Sequence, residues 1–197
     1  FESSLSHANS FFAATLFVYF WHVSSNRRSV LKWSLLGLLA GLMVLVRFQN
    51  VIFLVFPLIE MITKYKYSTW KKFMSSDLKG IIFSSLSFIL VLTPQMLILK
   101  AAHGSIIRGY QVITYGNKLN ILTSASNFFN VLFSSNHGLI NWCPVLGLAL
   151  IGLFMFYRKE RKLSLMFLSA FLLNLIIVSG WEFWHASQSF GHRMFIN

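Results

Sequence analysis

Long apolar runs separated by short polar segments dominate the chain. Six such runs occupy residues 11–23, 30–46, 51–63, 81–99, 145–157 and 163–179. A helix needs roughly 20 apolar residues to cross a bilayer, so several runs either recruit flanking polar and tryptophan residues or form broken helices that line a cavity. The pattern predicts an all-α, polytopic helical membrane protein with about six transmembrane helices.

The charge distribution predicts how these helices are oriented. Residues 24–32, 64–79 and 158–162 carry 12 of the 17 Lys and Arg residues, and these three segments alternate with longer, less basic ones. Because basic residues concentrate in cytoplasmic loops, we expect short basic loops on the cytoplasmic side of the cytoplasmic membrane. Residue 1 then lies on the outer side, which is periplasmic or extracellular.

Composition narrows the class of protein further. Hydrophobic residues make up 56% of the chain and charged residues only 11%, a balance that a soluble fold could not bury. The net charge of +12 is split into clusters between apolar runs, which favours a lipid bilayer and not nucleic acid as the partner. With one cysteine, Cys143, and no metal-ligand spacing, the sequence predicts no metal and no cofactor.

The ends of the chain indicate an internal fragment of a larger protein. The chain opens at Phe1 without a targeting segment and stops at Asn197 without a helix-ending signal. We expect residues 1–197 to form a single transmembrane domain of that protein.

The stretch of residues 100–142 is predicted to be a long outer loop. It is too polar to span a membrane and too long for a simple connection. Within it, residues 128–133 place Phe128, Phe129, Leu132 and Phe133 at helical spacing, opposite Ser and Asn residues. We expect a surface helix here, which either lies on the membrane or roofs a cavity.

Arg47 is the strongest single candidate for a functional residue, because only residues 47–50 separate two apolar runs. These residues form a tight polar turn or, alternatively, the break in a pair of broken helices. A guanidinium suits phosphate binding, while the alternative is an Arg that reaches the outer headgroup level. Glu60 is also intramembrane in this scheme, and Lys64 one turn later is its expected ion-pair partner.

The C-terminal stretch combines aromatic platforms with polar groups. It contains Trp181, Glu182, His185, His192 and Arg193. Sugars stack on aromatic faces, and Arg and His bind phosphate, so the stretch is a candidate sugar site. An aromatic belt at the end of the sixth span is the alternative interpretation.

Four stretches of the chain resemble the GT-C superfamily of polytopic membrane glycosyltransferases, the group with the protein O-mannosyltransferases and aminoarabinose transferases. Ser6-His7-Ala8-Asn9-Ser10-Phe11-Phe12 is similar to the family's "SHA…FF" opening of a span. Gly37-Leu38-Leu39-Ala40-Gly41-Leu42, followed by Arg47-Phe48-Gln49-Asn50, resembles "GLxAGLxxLxRxxN". Residues 136–144 resemble "RHGLxxWxP" with Asn in place of the first Arg, and residues 189–193 resemble "SFGxR".

The resemblance implies a transferase that moves a sugar from a polyprenyl-phosphate donor to an acceptor at the outer membrane face. It implies inversion with a carboxylate base in the first outer loop, which would precede Phe1, so the catalytic residue is expected upstream of this chain. The remaining site residues follow: Arg47, Arg193, His7 and His137 for the donor phosphate, and Trp181, Glu182, His185, His192 and Asn50 for the sugar or acceptor.

Two other classes of function stay open at this point. A secondary transporter or lipid flippase would want a chain of polar residues through the membrane midplane, for which Asn174 and Gln95 are weak candidates. A non-catalytic membrane scaffold would not need the polar outer residues.

Overall fold

The computed structural model describes residues 2–25, 28–65, 77–113, 121–181 and 184, and every regular element in these ranges is helical. The all-α class predicted from the apolar runs is therefore confirmed. The elements are α1 (Glu2–Ser24), α2 (Val30–Val46), a 3₁₀ helix (Phe48–Leu54), α3 (Val55–Tyr65), α4 (Leu78–His103), α5 (Ile106–Ile113), α6 (Ile121–Phe133), α7 (Leu139–Trp142), α8 (Pro144–Phe156) and α9 (Arg161–Ser179).

The chain divides into two compact units, an N-terminal unit within residues 1–110 and a C-terminal unit within residues 111–196. The division into two units does not test whether residues 1–197 form a single transmembrane domain, which stays a prediction.

Two helices among the described residues are long and apolar enough to cross a membrane: α4, with 26 residues, and α9, with 19. Two further apolar helices, α2 and α8, have 17 and 13 residues. At 1.5 Å per residue these shorter helices reach about 25 and 20 Å, less than the roughly 30 Å of a hydrocarbon core. Two candidate spans are thus present, and the count of about six stays a prediction.

Two contacts of α1 align it with the 3₁₀ helix and α3. Ser10, in the first half of α1, is hydrogen-bonded to Asn50, and Trp21, near its end, is hydrogen-bonded to Glu60. The eleven residues from Ser10 to Trp21 rise about 16 Å in an α-helix. The ten steps from Asn50 to Glu60 divide about equally between the 3₁₀ helix, which rises about 2.0 Å per residue, and α3, which rises about 1.5 Å, so they cover roughly 17 Å. The segment of 3₁₀ helix and α3 therefore runs parallel to α1.

Close backbone packing joins α2 to α4. A Cβ atom added to Gly37 would lie 2.0 Å from the carbonyl oxygen of Ser84, and one added to Gly41 would lie 2.8 Å from the Cβ of Val91. Glycines four residues apart let two helix backbones approach at this distance. Because the paired positions increase together, α2 and α4 run parallel. Asn50, which contacts Ser10 in the first half of α1, also contacts Met43 near the end of α2, so α2 runs opposite to α1 and the direction of the chain alternates from α1 to α4.

The C-terminal unit is built around α6 and α9. Val131 of α6 packs with Leu175 and Val178 of α9, and all three side chains are buried. On the predicted apolar face of α6, Phe128 and Leu132 pack against this core, whereas Phe129 and Phe133 are 68% and 54% exposed. A helix is therefore present where the surface helix was expected, and its position on a membrane surface stays a prediction.

Candidate functional site

Arg47 lies where α2 ends. Its extended backbone, with φ −156° and ψ 117°, breaks the α-helix, and the 3₁₀ helix starts at the next residue. The polar stretch of residues 47–50 is therefore a one-residue break followed by a 3₁₀ turn. The break turns the Arg47 side chain towards α1, where its Nη1 lies 2.8 Å from Nδ1 of His7. A guanidinium can only donate hydrogen bonds, so Nδ1 accepts and the imidazole in this contact carries its hydrogen on Nε2.

Asn50 and Ser10 make a second link between the same two segments. The Asn50 amide nitrogen donates to the Ser10 hydroxyl at 2.8 Å and to the Met43 carbonyl at 3.0 Å. Asn50 and Ser10 are 1% and 0% exposed, respectively. Asn50, expected to contact a sugar or acceptor, thus uses its amide inside the protein, and its backbone nitrogen donates to the Arg47 carbonyl.

These four residues form what we call the Arg47–His7 cluster: His7, Ser10, Arg47 and Asn50. Two of them come from the stretch at residues 6–12 and two from the stretch at residues 47–50. Both stretches were singled out for their resemblance to the glycosyltransferase superfamily. The structure brings them together although about 40 residues separate them in the sequence.

A second polar group, the Arg28–Glu60 cluster, contains Trp21, Ser24, Arg28 and Glu60 and lies at the opposite end of α1. Arg28 Nη2 is 2.9 Å from Glu60 Oε2, and the two side chains are only 6% and 9% exposed. The Trp21 indole nitrogen donates to the same carboxylate oxygen at 2.6 Å. Arg28 also donates to the Ser24 hydroxyl and to the Trp21 carbonyl.

The partner expected for Glu60 was Lys64, and the structure changes that picture. Glu60 faces Arg28 and Trp21, while Lys64 pairs with Asp77. The sequence alone predicts a partner one helical turn away on α3. Arg28 follows the C-terminal end of α1, and its proximity to Glu60 depends on how α1 and α3 align. The available signal was the grouping of Trp21, Ser24 and Arg28 at spacings that fall on one side of a helix.

The side chains buried between the two clusters in the described part of the N-terminal unit are apolar. They include Ala14, Phe17, Leu36, Ala40 and Met43. The buried polar residues of these ranges, in contrast, lie within or beside one cluster or the other, at Ser10, Asn50, Ser24, Glu60 and Asp77. The polar groups are thus concentrated near the two ends of the unit.

His137 lies in a tight turn of the C-terminal unit, between α6 and α7. Its φ is +65°, in the left-handed region that few residues other than glycine adopt. Its ring stacks on Trp142, with centroids 4.7 Å apart and planes 8° from parallel. The Trp142 indole nitrogen donates to the Ser135 carbonyl at 2.9 Å, which holds the stack against the turn.

The other predicted site residues fall at the C-terminal end. Trp181 is half-buried, and its backbone nitrogen donates to the Val178 carbonyl at the end of α9. Four more, Glu182, His185, His192 and Arg193, lie outside the described residues. The expected proximity of Arg47 and Arg193 therefore stays a prediction. Within the described ranges, no three His, Cys, Asp or Glu side chains come close enough to hold a metal ion.

Comparison with known protein families, with curated proteins and with solved structures finds no match for this chain.

Proposed function

We propose that this chain is part of a multi-pass membrane glycosyltransferase of the GT-C type. In this proposal the enzyme transfers a sugar from a polyprenyl-phosphate donor to an acceptor on the outer face, and the Arg47–His7 cluster binds the donor phosphate. The observation that carries the proposal is the pair of hydrogen-bonded links, His7 with Arg47 and Ser10 with Asn50. These links bring together two stretches that resemble the glycosyltransferase superfamily, residues 6–12 and 47–50, as a shared binding site requires.

Exposed apolar surface supports the membrane part of the proposal. On α4 the side chains of Leu90, Leu97 and Ile98 are 68%, 61% and 66% exposed, and on α8 those of Leu148 and Phe154 are 68% and 72% exposed. Soluble proteins rarely expose apolar side chains in such continuous series. Exposing apolar side chains to water is unfavourable, and a lipid bilayer avoids that exposure. Helix α4 is long enough to span a bilayer.

Transfer fits the N-terminal unit better than transport. A transporter or flippase needs polar groups near the midplane, where its substrate passes. In the described part of this unit the buried layer between the two clusters is apolar, with Phe17 and Met43 both fully buried. A lipid-linked donor, in contrast, needs only a phosphate site at one end, because its chain stays in the bilayer.

The orientation is testable by labelling single cysteines in a Cys143→Ser background with a membrane-impermeant maleimide. Lys159 follows α8 and Lys100 lies near the end of α4, and both side chains are exposed. We expect a cysteine at position 100 to react from the outside and one at position 159 only after the membrane is permeabilised. Labelling of both positions from the same side would contradict the proposed six-crossing topology.

Donor binding tests the site itself. Each charge-assisted contact to phosphate contributes roughly 1.5–3 kcal/mol, so Arg47→Ala should weaken binding of farnesyl phosphate to the complete protein by about tenfold or more. Arg47→Lys should rescue only partly, because an ammonium lacks the planar fork. Arg108→Ala is the matched control, since Arg108 is exposed on α5 and lies outside the family-like stretches. Equal affinity of wild type and Arg47→Ala, with folding verified by thermal unfolding, would refute the phosphate site.

A further inference from the structure

The C-terminal unit contains a tight bend between two apolar helices, α8 and α9. Only residues 157–160 join these helices. The Ser164 hydroxyl donates to the Leu153 carbonyl at 2.9 Å, eleven residues back along the chain. The last turn of α8 and the first turn of α9 therefore lie side by side, and residues 157–162 form what we call the tip of the α8–α9 hairpin.

The tip carries a dense positive charge on its surface. Five consecutive side chains are exposed there, four cations and one carboxylate with a net charge of +3: Arg158, Lys159, Glu160, Arg161 and Lys162. The Arg161 guanidinium lies 5.4 Å from the centre of the Tyr157 ring, which holds this cation against the bend. Within the described part of the chain, none of the five forms an ion pair.

Each of the other two basic segments has a cation that is paired inside the protein. Arg28 lies against Glu60 with both side chains buried, and Lys64 pairs with Asp77. These two contacts connect parts of the N-terminal unit. The cations of the tip are instead directed outwards, so they are available to a partner of negative charge.

The surroundings of the tip indicate what that partner is. Exposed apolar side chains begin within about one turn of the charged residues on both helices. Phe154 and Met155 on α8 are 72% and 68% exposed, and Leu165 on α9 is 43% exposed. Cations at the bend and apolar side chains along the helices follow the same order as the parts of a phospholipid, a charged headgroup followed by acyl chains. Clusters of Lys and Arg next to apolar helices attract anionic lipids in particular.

We propose that the tip of the α8–α9 hairpin is a binding surface for the headgroups of anionic phospholipids. Its four cations contact the negatively charged headgroup, and the exposed apolar side chains of the two helices contact the acyl chains. The proposal rests on the membrane location in the proposed function. It does not depend on sugar transfer or on the Arg47–His7 cluster, so a protein that fails to bind farnesyl phosphate would leave it standing.

The test compares two lipids that differ in headgroup charge: phosphatidylglycerol and phosphatidylcholine with identical chains, one of them fluorescent. Their binding to the complete protein in neutral detergent is measured by fluorescence anisotropy. Each basic residue near an anionic lipid surface corresponds to about a fivefold change in affinity. We expect Lys159→Gln with Lys162→Gln to weaken phosphatidylglycerol binding by about 25-fold and to leave phosphatidylcholine unchanged.

A variant of opposite sign makes the test independent of folding defects. Glu160→Gln removes the one carboxylate among the charged residues of the tip, so it should strengthen phosphatidylglycerol binding by roughly two- to fivefold. The matched control is Lys79→Gln with Lys100→Gln, which removes the same charge from exposed positions of α4 and should leave both affinities unchanged.

Three results would overturn the proposal. An equal loss with the α4 control would show diffuse attraction to the net charge of the protein, without a site at the tip. An equal loss with phosphatidylcholine would show that the headgroup charge is not recognised. Weaker phosphatidylglycerol binding by Glu160→Gln would contradict the electrostatic basis directly.

Discussion

The two polar clusters of the N-terminal unit lie at opposite ends of α1, yet they treat charge differently. In the Arg28–Glu60 cluster an acid and a base face each other at 2.9 Å with both side chains less than 10% exposed. In the Arg47–His7 cluster a hydrogen bond of 2.8 Å joins the Arg47 guanidinium to the His7 ring, and both residues are half-buried. In the first arrangement the charges of Arg28 and Glu60 face each other directly, whereas in the second the Arg47 guanidinium is oriented against the His7 ring.

This difference distinguishes an architectural cluster from a candidate binding site. A buried ion pair is costly to desolvate and is retained where its geometry and additional hydrogen bonds offset that cost. Glu60 accepts such a bond from Trp21 and Arg28 donates one to the Ser24 hydroxyl, so this cluster fixes how α1 and α3 meet. Arg47 lies at a break in the helix, and its carbonyl accepts a hydrogen bond from the backbone nitrogen of buried Asn50, so its backbone is held in place as a binding side chain requires.

Removing one member of the buried pair gives the largest effect that this comparison predicts. Glu60→Gln keeps the size of the side chain but leaves the Arg28 charge buried without its carboxylate. Breaking a buried pair in this way costs about 3–5 kcal/mol, which we expect as a large fall in the unfolding midpoint of the purified protein in detergent. The double variant Arg28→Met with Glu60→Leu should recover part of the loss, because an apolar pair of similar volume removes both buried charges, while the buried Trp21 indole loses its acceptor.

Lys64→Met is the matched control for that experiment. Lys64 pairs with Asp77, but its side chain is 56% exposed. Exposed ion pairs contribute at most about 1 kcal/mol, so the control should change the midpoint little. If Glu60→Gln lowered the midpoint no more than Lys64→Met, the ion pair of Arg28 and Glu60 would contribute no more to stability than an exposed pair. The proposed difference between the two clusters would then fail.

The helices were largely predictable from the sequence, because apolar runs define them directly. The second run, residues 30–46, coincides with α2, and the break at Arg47 lies where the polar stretch begins. What sequence reasoning missed are contacts that depend on the alignment of helices distant in sequence. The pairing of Glu60 with Arg28 is one such contact, since within α3 itself the basic residue one turn from Glu60 is Lys64.

The candidate site divides in the same way. Arg47 and His7 could be singled out by residue type and by resemblance, but their hydrogen bond requires the register of α1 against the 3₁₀ helix. The orientation of His137 could not be predicted from the sequence, because its left-handed conformation belongs to a tight turn. In that turn the backbone of Gly138 lies directly against Ser134. The spacing of Gly37 and Gly41 did contain a packing signal, and the structure explains it through the contact of α2 with α4.

Gly37→Ala gives a smaller effect and tests whether both clusters depend on one rigid arrangement of α2. Arg47 follows the C-terminal end of this helix and Arg28 precedes its start, with Gly37 between them. The new Cβ would lie 2.0 Å from a backbone oxygen of Ser84, which cannot rotate away as a side chain could. Overpacking of this kind costs about 1–3 kcal/mol, although alanine is the better helix former by about 1 kcal/mol.

The control for that substitution is Gly147→Ala in α8, where an added Cβ meets nothing within 4 Å. Only the helix-propensity gain remains there, so this variant should be stabilised by up to about 1 kcal/mol. The two glycine variants should therefore shift the unfolding midpoint in opposite directions. If α2 moves as a rigid helix, Gly37→Ala should also weaken farnesyl phosphate binding, because Arg47 moves with it. A destabilised Gly37→Ala protein with unchanged affinity would show that the Arg47–His7 cluster keeps its geometry independently of the packing between α2 and α4.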